Sequence, residues 1–347
     1  MPPAERHADS ALAALLRKRV LFFTGKGGVG KTTVASALAL AAARAGKKTL
    51  LVEIGDNQRA ARLLGLPAQD NPTNIPQEFS PALSVLSTSG ATALEEYLHL
   101  IIPVKRLVRL LVESRPYQYF VAAAPGLKEL LTLGKIWYEE RRRKNADIRQ
   151  PRWDLLIVDL PATGHGLQYL TMPRAAHDTF QDGVIHREAE RIAAWLQNPE
   201  TTAINMVTVA EELPVSETQE IYRQLADTMH LPLGLLFVNR VHEVPLSQAS
   251  LARFSFAERD SVPERQLAER IVACARTEAT LTEGQEVHFQ QLRQLPLPFL
   301  TLPFCFAPEF GFTEVESLSH RLEKALRQEA PRHKPRTKRT TKSATTS

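Results

Sequence analysis

The chain has 347 residues, of which 44% are hydrophobic and 23% are charged, a composition typical of a folded globular protein with one large domain or two small ones. Its apolar runs are far shorter than the ~20 residues that cross a bilayer. The opening MPPAERHADS has no apolar signal core. We therefore expect a cytoplasmic protein with no stable membrane insertion.

The net charge of +5 is concentrated at one end of the chain. Residues 332–347 contain six Lys or Arg and no acid, and removing these six leaves 37 basic against 38 acidic residues. A near-neutral body argues against a specific nucleic-acid partner. A tail this polar cannot bury enough apolar surface to fold. We expect residues 331–347 to form a disordered basic tail, either simply solvated or a weak anchor for nucleic acid or acidic lipid.

The two cysteines, Cys274 and Cys305, show no CxxC or Cys/His spacing. This argues against a disulfide framework and against a thiolate site for zinc or arsenic with three or more ligands. We expect both thiols to be buried and to have no chemical role.

Short β-branched and aromatic runs alternate with helical patterns, which predicts an α/β fold with a mostly parallel, doubly wound sheet. The predicted strands are residues 20–24, 49–54, 83–87, 155–159, 204–209, 235–239 and 299–302. A helical insertion is predicted over about residues 91–145, because this stretch has helical periodicity and no strand pattern. A capping-box pattern at Ser216 and Gln219 predicts a helix that begins at Ser216. We expect an N-terminal extension over residues 1–18 and one domain over residues 19–330.

The run GKGGVGKTT stands between the first predicted strand and an alanine-rich helix. It fits the pattern G-x-x-x-x-G-K-[ST], in which glycines let backbone N–H groups turn toward a phosphate chain at a helix N-terminus. We expect Lys31 to reach the β- and γ-phosphates and the Thr32 hydroxyl to bind Mg²⁺. The predicted nucleotide-binding residues of this loop are Gly25, Lys26, Gly27, Gly28, Val29, Gly30, Lys31, Thr32 and Thr33.

The same glycines also match the dinucleotide pattern G-x-G-x-x-G, with Glu53 where a ribose-binding acid belongs. Lys31 and Thr32 decide between the two patterns. Dinucleotide folds place small or apolar residues at these positions, whereas triphosphate binding needs a cation and a metal-binding hydroxyl. We therefore favour a nucleoside triphosphate as the ligand.

Asp159 ends the predicted strand of residues 155–159, at the edge of a parallel sheet where ligands bind. A carboxylate at this edge can hold Mg²⁺ through water. Thr32 and Asp159 are therefore the expected metal-binding residues.

At GKGGVGKTT the sequence resembles the deviant Walker A ATPases, a SIMIBI-type group of P-loop NTPases that includes ArsA, MinD, ParA and the nitrogenase iron protein. The resemblance implies that the nucleotide is ATP. It also implies that Lys26 contacts ATP bound to the facing subunit, so that ATP joins two copies of the chain in a homodimer.

Two further runs and one asparagine resemble the branch formed by ArsA and the ATPases that guide tail-anchored membrane proteins. The run DLPATGHG, from Asp159, is similar to the switch DTAPTGHT, which implies γ-phosphate sensing by His165; a solvated loop residue is the alternative. The run VTVAEELPVSET is similar to TxPExLPVxET. Asn239 corresponds to the adenine-contacting asparagine, with a strand-end turn residue as the alternative. The likeness covers about residues 20–311.

The first switch departs from this branch, because VEIGDNQR stands where relatives have a run such as DPAHS. Asp56 is displaced by one residue but remains the nearest carboxylate for polarising the attacking water, with Glu53 as a substitute. If neither carboxylate acts, hydrolysis is slow. The CxxC of zinc-bridged relatives and the cysteine cluster for arsenite are absent, which argues against an arsenite pump subunit.

These observations favour a dimeric, ATP-hydrolysing switch with Lys26, Lys31, Asp56 and Asp159 as catalytic residues, whose hydrolysis step releases a client. Residues 97–112 are apolar with a basic stripe, and two copies could form a groove for an apolar helix or a membrane-protein client. A helix packed on its own domain is the alternative for that stretch. A ParA- or MinD-like positioning ATPase and a nucleotide-binding module with little turnover stay open.

Overall fold

The structure is a computed structural model that describes residues 10–55, 57–68, 74–90, 92–93, 95–96, 114–115, 126–144, 149–243 and 262–328. Several predictions fall on other positions. Asp56, most of the helical insertion of residues 91–145, the stretch of residues 97–112 and the basic tail of residues 331–347 lie outside the described residues.

In the described parts of the chain, eight strands form one sheet in the order β3-β4-β2-β5-β1-β6-β7-β8. Every neighbouring pair is parallel except β3 with β4. The strands are β1 Val20–Thr24, β2 Thr49–Ile54, β3 Gln77–Ser80, β4 Leu83–Thr88, β5 Leu155–Asp159, β6 Thr202–Val209, β7 Leu233–Val241 and β8 Phe299–Pro303.

The predicted strands are all present, and their ends differ from the predicted ones by no more than two residues. β1, β2 and β5 are buried at every position. This is the pattern of strands that are covered on both faces, and it explains why their apolar runs were visible in the sequence. The antiparallel edge strand β3 was not predicted, because three of its four residues are polar and it is mostly half-buried.

Helices cover both faces of the sheet. They are α1 Lys31–Arg44, α2 Arg59–Leu63, α3 Leu127–Arg141, α4 Thr163–Thr179, α5 Val184–Gln197, α6 Glu212–Arg223, α7 Val262–Leu292 and α8 Phe312–Gln328. One apolar cluster packs α1 and α8 on the sheet, and a second packs α3, α4, α5 and α6 on the opposite face. The sheet is therefore doubly wound, as predicted. No helix in the described ranges combines the length and hydrophobicity that a bilayer crossing requires.

Part of the predicted N-terminal extension packs on the main body of the protein. Residues 10–15 are helical. Leu12 is fully buried and Leu15 is 3% exposed, and both belong to the apolar cluster under α1. Side chains from this segment therefore contribute to the core.

The start of α6 differs from its prediction. The helix begins at Glu212, four residues before Ser216, and the Ser216 hydroxyl donates a hydrogen bond to the Glu212 carbonyl within the helix. Pro214 lies in the first turn, where a missing backbone N–H costs little. The capping-box prediction was therefore wrong, although Ile221 of this helix is buried against the sheet.

The prediction of two buried cysteines was also wrong. Cys274 is exposed on α7, and Cys305 is partly exposed just after β8. Cys305 lines the cavity at the sheet edge that is described below.

Candidate functional site

The phosphate loop joins β1 to α1 and lies tightly against the neighbouring strands. Gly25 has a φ of 148°, and a Cβ atom there would lie 2.1 Å from the Val207 carbonyl oxygen of β6. Gly30 has a φ of 91°, and its Cβ would lie 2.3 Å from the Asn239 amide nitrogen. A side chain would clash at either position, so glycine is required at both ends of the loop.

The side chain of Lys31 folds back onto the first two residues of the loop. Its Nζ donates hydrogen bonds to the carbonyl oxygens of Gly25 (3.0 Å) and Lys26 (3.1 Å), and the residue is 9% exposed. Burial lowers the pKa of Lys31, and the nearby Asp159 partly offsets this effect. An anion in the loop would lie beside this ammonium group and would favour its charged form.

Thr32 and Asp159 meet beside the loop, as the sequence predicted. The Thr32 hydroxyl donates a 2.6 Å hydrogen bond to Asp159 Oδ2. Asp159 lies opposite Phe23 of β1 and Glu53 of β2 in the parallel register, so three strand ends converge here. Burial raises the pKa of Asp159 to about 7, although Thr32 and Lys31 oppose the shift.

The residues present at this point fit a magnesium ion. Asp159 Oδ1 is buried and has no hydrogen-bond partner among the described residues, so one carboxylate oxygen is free for a cation. The described ranges contain no group of three or more His, Cys, Asp and Glu placed to hold a metal. Mg²⁺ needs no such group, because it is commonly held by one or two protein oxygens together with water and phosphate oxygens.

Glu53 has a structural role at the end of β2. Its two carboxylate oxygens accept hydrogen bonds of 2.9 Å from the backbone N–H groups of Arg59 and Ala60, and the residue is 4% exposed. Burial raises the pKa of Glu53 despite these two bonds. Glu53 therefore holds the first turn of α2 in place.

Lys26 points away from the interior of its own loop. Its Nζ lies 2.6 Å from Glu217 Oε1 on α6, and both side chains are partly exposed. The two lysines of the loop therefore differ, because Lys31 bonds to the loop carbonyls whereas Lys26 forms an ion pair with another element.

Asn239 lies at the end of β7 and contacts the phosphate loop. Its Nδ2 donates a 2.9 Å hydrogen bond to the Val29 carbonyl oxygen, and the residue is 4% exposed. A cavity of about 330 Å³ opens beside it. Its lining residues are Thr33, Asn239, Arg240, Pro303, Phe304, Cys305, Ala307, Phe310 and Leu318.

The loop after β8 supplies much of this cavity and was missed by the sequence analysis. β8 pairs in parallel with β7, so their carboxyl ends reach the same edge of the sheet. A signal was present, because the run PFCFAPEF directly follows a predicted strand and ligand sites lie at such strand ends.

A bulge at Arg240 directly follows Asn239 in β7. Arg240 has a φ of 56°, and the pairing of β7 with β8 shifts register between Val238 and Val241. Asn239 and Val241 are both buried, whereas Arg240 is exposed. The bulge lets Asn239 contact the phosphate loop while Val241, two positions later, packs in the apolar cluster on the opposite face of the sheet.

His165 lies in the first turn of α4 and is exposed. Its proposed contact with the γ-phosphate stays a prediction.

Two comparisons with known proteins place the chain in a family. A model for anion-transporting ATPases matches residues 18–188. ATPase BagA of Mycobacterium tuberculosis is 31% identical over 300 residues, which cover 82% of this chain and 87% of that protein. The chain belongs to the ArsA family of anion-transporting ATPases. A second relative, the arsenical pump-driving ATPase of Acidiphilium multivorum, is 27% identical over 223 residues, or 60% of this chain and 37% of that longer protein.

The raised pKa of Asp159 predicts a pH-dependent stability. The folded protein binds a proton at this carboxyl up to about pH 7, whereas the unfolded chain loses it near pH 4. The contribution of Asp159 to the free energy of unfolding therefore falls as the pH rises from 4 to 7, by at most about 1.4 kcal/mol per pH unit. Asp159→Asn removes this contribution.

Urea unfolding of both proteins without nucleotide, at pH 5, 6, 7 and 8, tests the expectation. The wild type should lose stability relative to Asp159→Asn between pH 5 and 7 and run parallel to it above pH 7. Parallel curves over the whole range would contradict a raised pKa.

Proposed function

We propose that the protein binds ATP with Mg²⁺ and hydrolyses it to ADP and phosphate. The observation that carries this proposal is the meeting of Lys31, Thr32 and Asp159 at the end of a glycine loop. A cation, a hydroxyl and a carboxylate with one free oxygen are grouped where a triphosphate and its metal require them. Membership of the ArsA family supports the same activity.

Each group has a distinct task in this proposal. The loop N–H groups and Lys31 bind the phosphate oxygens and stabilise the charge that develops in the transition state. Thr32 and Asp159 hold the metal, which neutralises charge on the phosphates when bound. Asn239 contacts the adenine, and the cavity that includes Phe304 encloses it. The polar groups for the phosphates and the apolar wall for the base thus lie side by side.

The residue that positions the attacking water is proposed to be Asp56. Glu53 is poorly suited to this task, because its two oxygens already accept backbone hydrogen bonds from α2. Asp56 follows three residues later, past the end of β2. We therefore assign the water-positioning role to Asp56.

We further propose that two copies of the chain form a homodimer around ATP. Lys26 would leave Glu217 and contact the nucleotide of the facing subunit. Loss of the γ-phosphate would then loosen the dimer and release a client such as an apolar helix of a membrane protein. The partial exposure of the Lys26 and Glu217 side chains supports this exchange, because exposed ion pairs contribute only about 0–1 kcal/mol.

Hydrolysis is tested by comparing phosphate release with nucleotide binding. Lys31→Ala should weaken ATP binding and lower turnover by at least about 100-fold, because it removes the buried cation from the loop. The readouts are phosphate release and calorimetric titration with Mg·ATP. A wild-type rate equal to that of Lys31→Ala would support a nucleotide-binding module with little turnover instead.

The role of Asp56 is tested against Glu53. Asp56→Asn should bind ATP normally and lower turnover by about 100-fold or more, since water activation is lost. Glu53→Gln should lower the thermal midpoint, because an amide cannot accept both backbone bonds equally well, while turnover per folded molecule is retained. The reverse pattern of turnover would assign the water to Glu53.

The role of Lys26 is tested by mass measurement in solution. With a non-hydrolysable ATP analogue, the wild type should form a dimer, whereas Lys26→Ala should stay monomeric and bind the analogue within about threefold of the wild-type affinity. Glu217→Gln frees Lys26 and should still form the dimer. If Lys26→Ala abolishes nucleotide binding by the monomer, the lysine acts within its own subunit.

A positioning ATPase of the ParA or MinD kind is the second candidate. Among the described residues, no observation favours it over the switch. A salt titration of DNA binding, with and without residues 331–347, separates the switch from a ParA-like DNA-positioning ATPase, because the latter requires DNA binding by the folded body.

A further inference from the structure

His242 directly follows β7, and the long helix α7 holds it at three points. Its backbone N–H donates to Gln285 Oε1 (3.1 Å), and its carbonyl accepts from the Thr282 hydroxyl (3.2 Å). Its Nδ1 lies 2.7 Å from Glu278 Oε2. These three partners are spaced by four and three residues, so they lie on one face of α7. The imidazole plane is thereby fixed relative to the helix.

The ring of His242 is also stacked on the wall of the cavity. Its centroid lies 4.7 Å from that of Phe304, with an angle of 19° between the planes. Phe304 contacts Phe306 edge-on at 4.8 Å, and Phe306 is 72% exposed. Phe304 lines the cavity beside Asn239, whereas His242 lines the neighbouring groove of about 470 Å³. His242 therefore touches the cavity wall without being part of the lining.

We propose that His242 is a positioning residue, which holds Phe304 in the orientation that receives the nucleotide base and links that orientation to α7. This inference rests on the proposed function, in which the cavity binds adenine. A partly exposed phenylalanine on a loop has several rotamers, and fixing one of them before binding lowers the entropic cost of binding. A histidine suits this position, because one ring can both stack on Phe304 and hydrogen-bond to Glu278.

The coupling between α7 and base binding must be reciprocal. If the position of α7 affects how tightly the base binds, then base binding must affect α7 to the same extent. Occupation of the cavity should therefore protect the backbone of α7 around Glu278 and Gln285. Occupation of the phosphate loop alone should not have this effect.

The test compares two triphosphate probes, one with and one without the nucleoside. Mg·ATP uses both the phosphate loop and the cavity, whereas magnesium tripolyphosphate has no base and uses the loop alone. His242→Ala should weaken ATP binding by about 2- to 12-fold, the effect of one lost aromatic contact. Binding of tripolyphosphate should stay within twofold of the wild type. His288→Ala on α7, which changes a partly exposed histidine that contacts Gln291, is the matched control and should change neither affinity.

Two further variants keep the test informative if His242→Ala folds poorly. His242→Phe keeps the stacking and removes the bond to Glu278, and Glu278→Gln weakens that bond from the other side. Both should weaken ATP binding by a smaller factor and leave tripolyphosphate binding unchanged. Hydrogen exchange should show that ATP protects residues 278–289 in the wild type, and that this protection is reduced in His242→Phe.

Equal losses for both probes would overturn the proposal, since His242 would then support the whole site rather than the base. Unchanged ATP affinity in all three variants would also overturn it. If the wild type binds tripolyphosphate but binds ATP no more tightly, the cavity does not receive a base and the proposal fails. If the wild type binds neither probe, the proposed function itself fails, which is a distinguishable result.

Discussion

The site depends on one constraint, which is that charged groups are buried at the edge of a parallel sheet. Lys31 and Asp159 are both held in surroundings that disfavour their charged forms, as the lowered pKa of the one and the raised pKa of the other indicate. The attraction between the two groups does not fully offset the cost of burying either charge. A polyanion with a divalent cation satisfies both, because the ammonium gains phosphate oxygens and the carboxylate gains a metal.

The arrangement of the sheet creates this constraint. β1, β2 and β5 are adjacent and parallel, so the residues at their carboxyl ends must converge. The apolar faces of the same strands pack against helices on both sides, which fixes the positions of the strand ends within a rigid layer. The polar edge is thus positioned by the burial of residues such as Phe22 and Phe23, which have no chemical role.

Much of the fold and the phosphate loop could be predicted from sequence, because their signals are local. Buried strands such as β5 are uninterrupted apolar runs, and the loop residues are adjacent in the chain. The missed features depend on distant residues or on exposure. Lys26 and Glu217 are 191 positions apart, and the aromatic wall at Phe304 belongs to the site only because β8 pairs with β7. The exposed Cys274 and the early start of α6 likewise depend on packing that short motifs do not encode.

The bulge at Arg240 places one extra residue in β7 directly after Asn239. Side chains of a strand alternate between its two faces, so one residue more or fewer reverses the direction of everything that follows. Inserting one residue between Phe237 and Asn239 would turn the Asn239 amide away from the Val29 carbonyl, while the sequence of the glycine loop would be unchanged. An insertion just before Asn239 would therefore separate the end of β7 from the phosphate loop without altering a single residue of that loop.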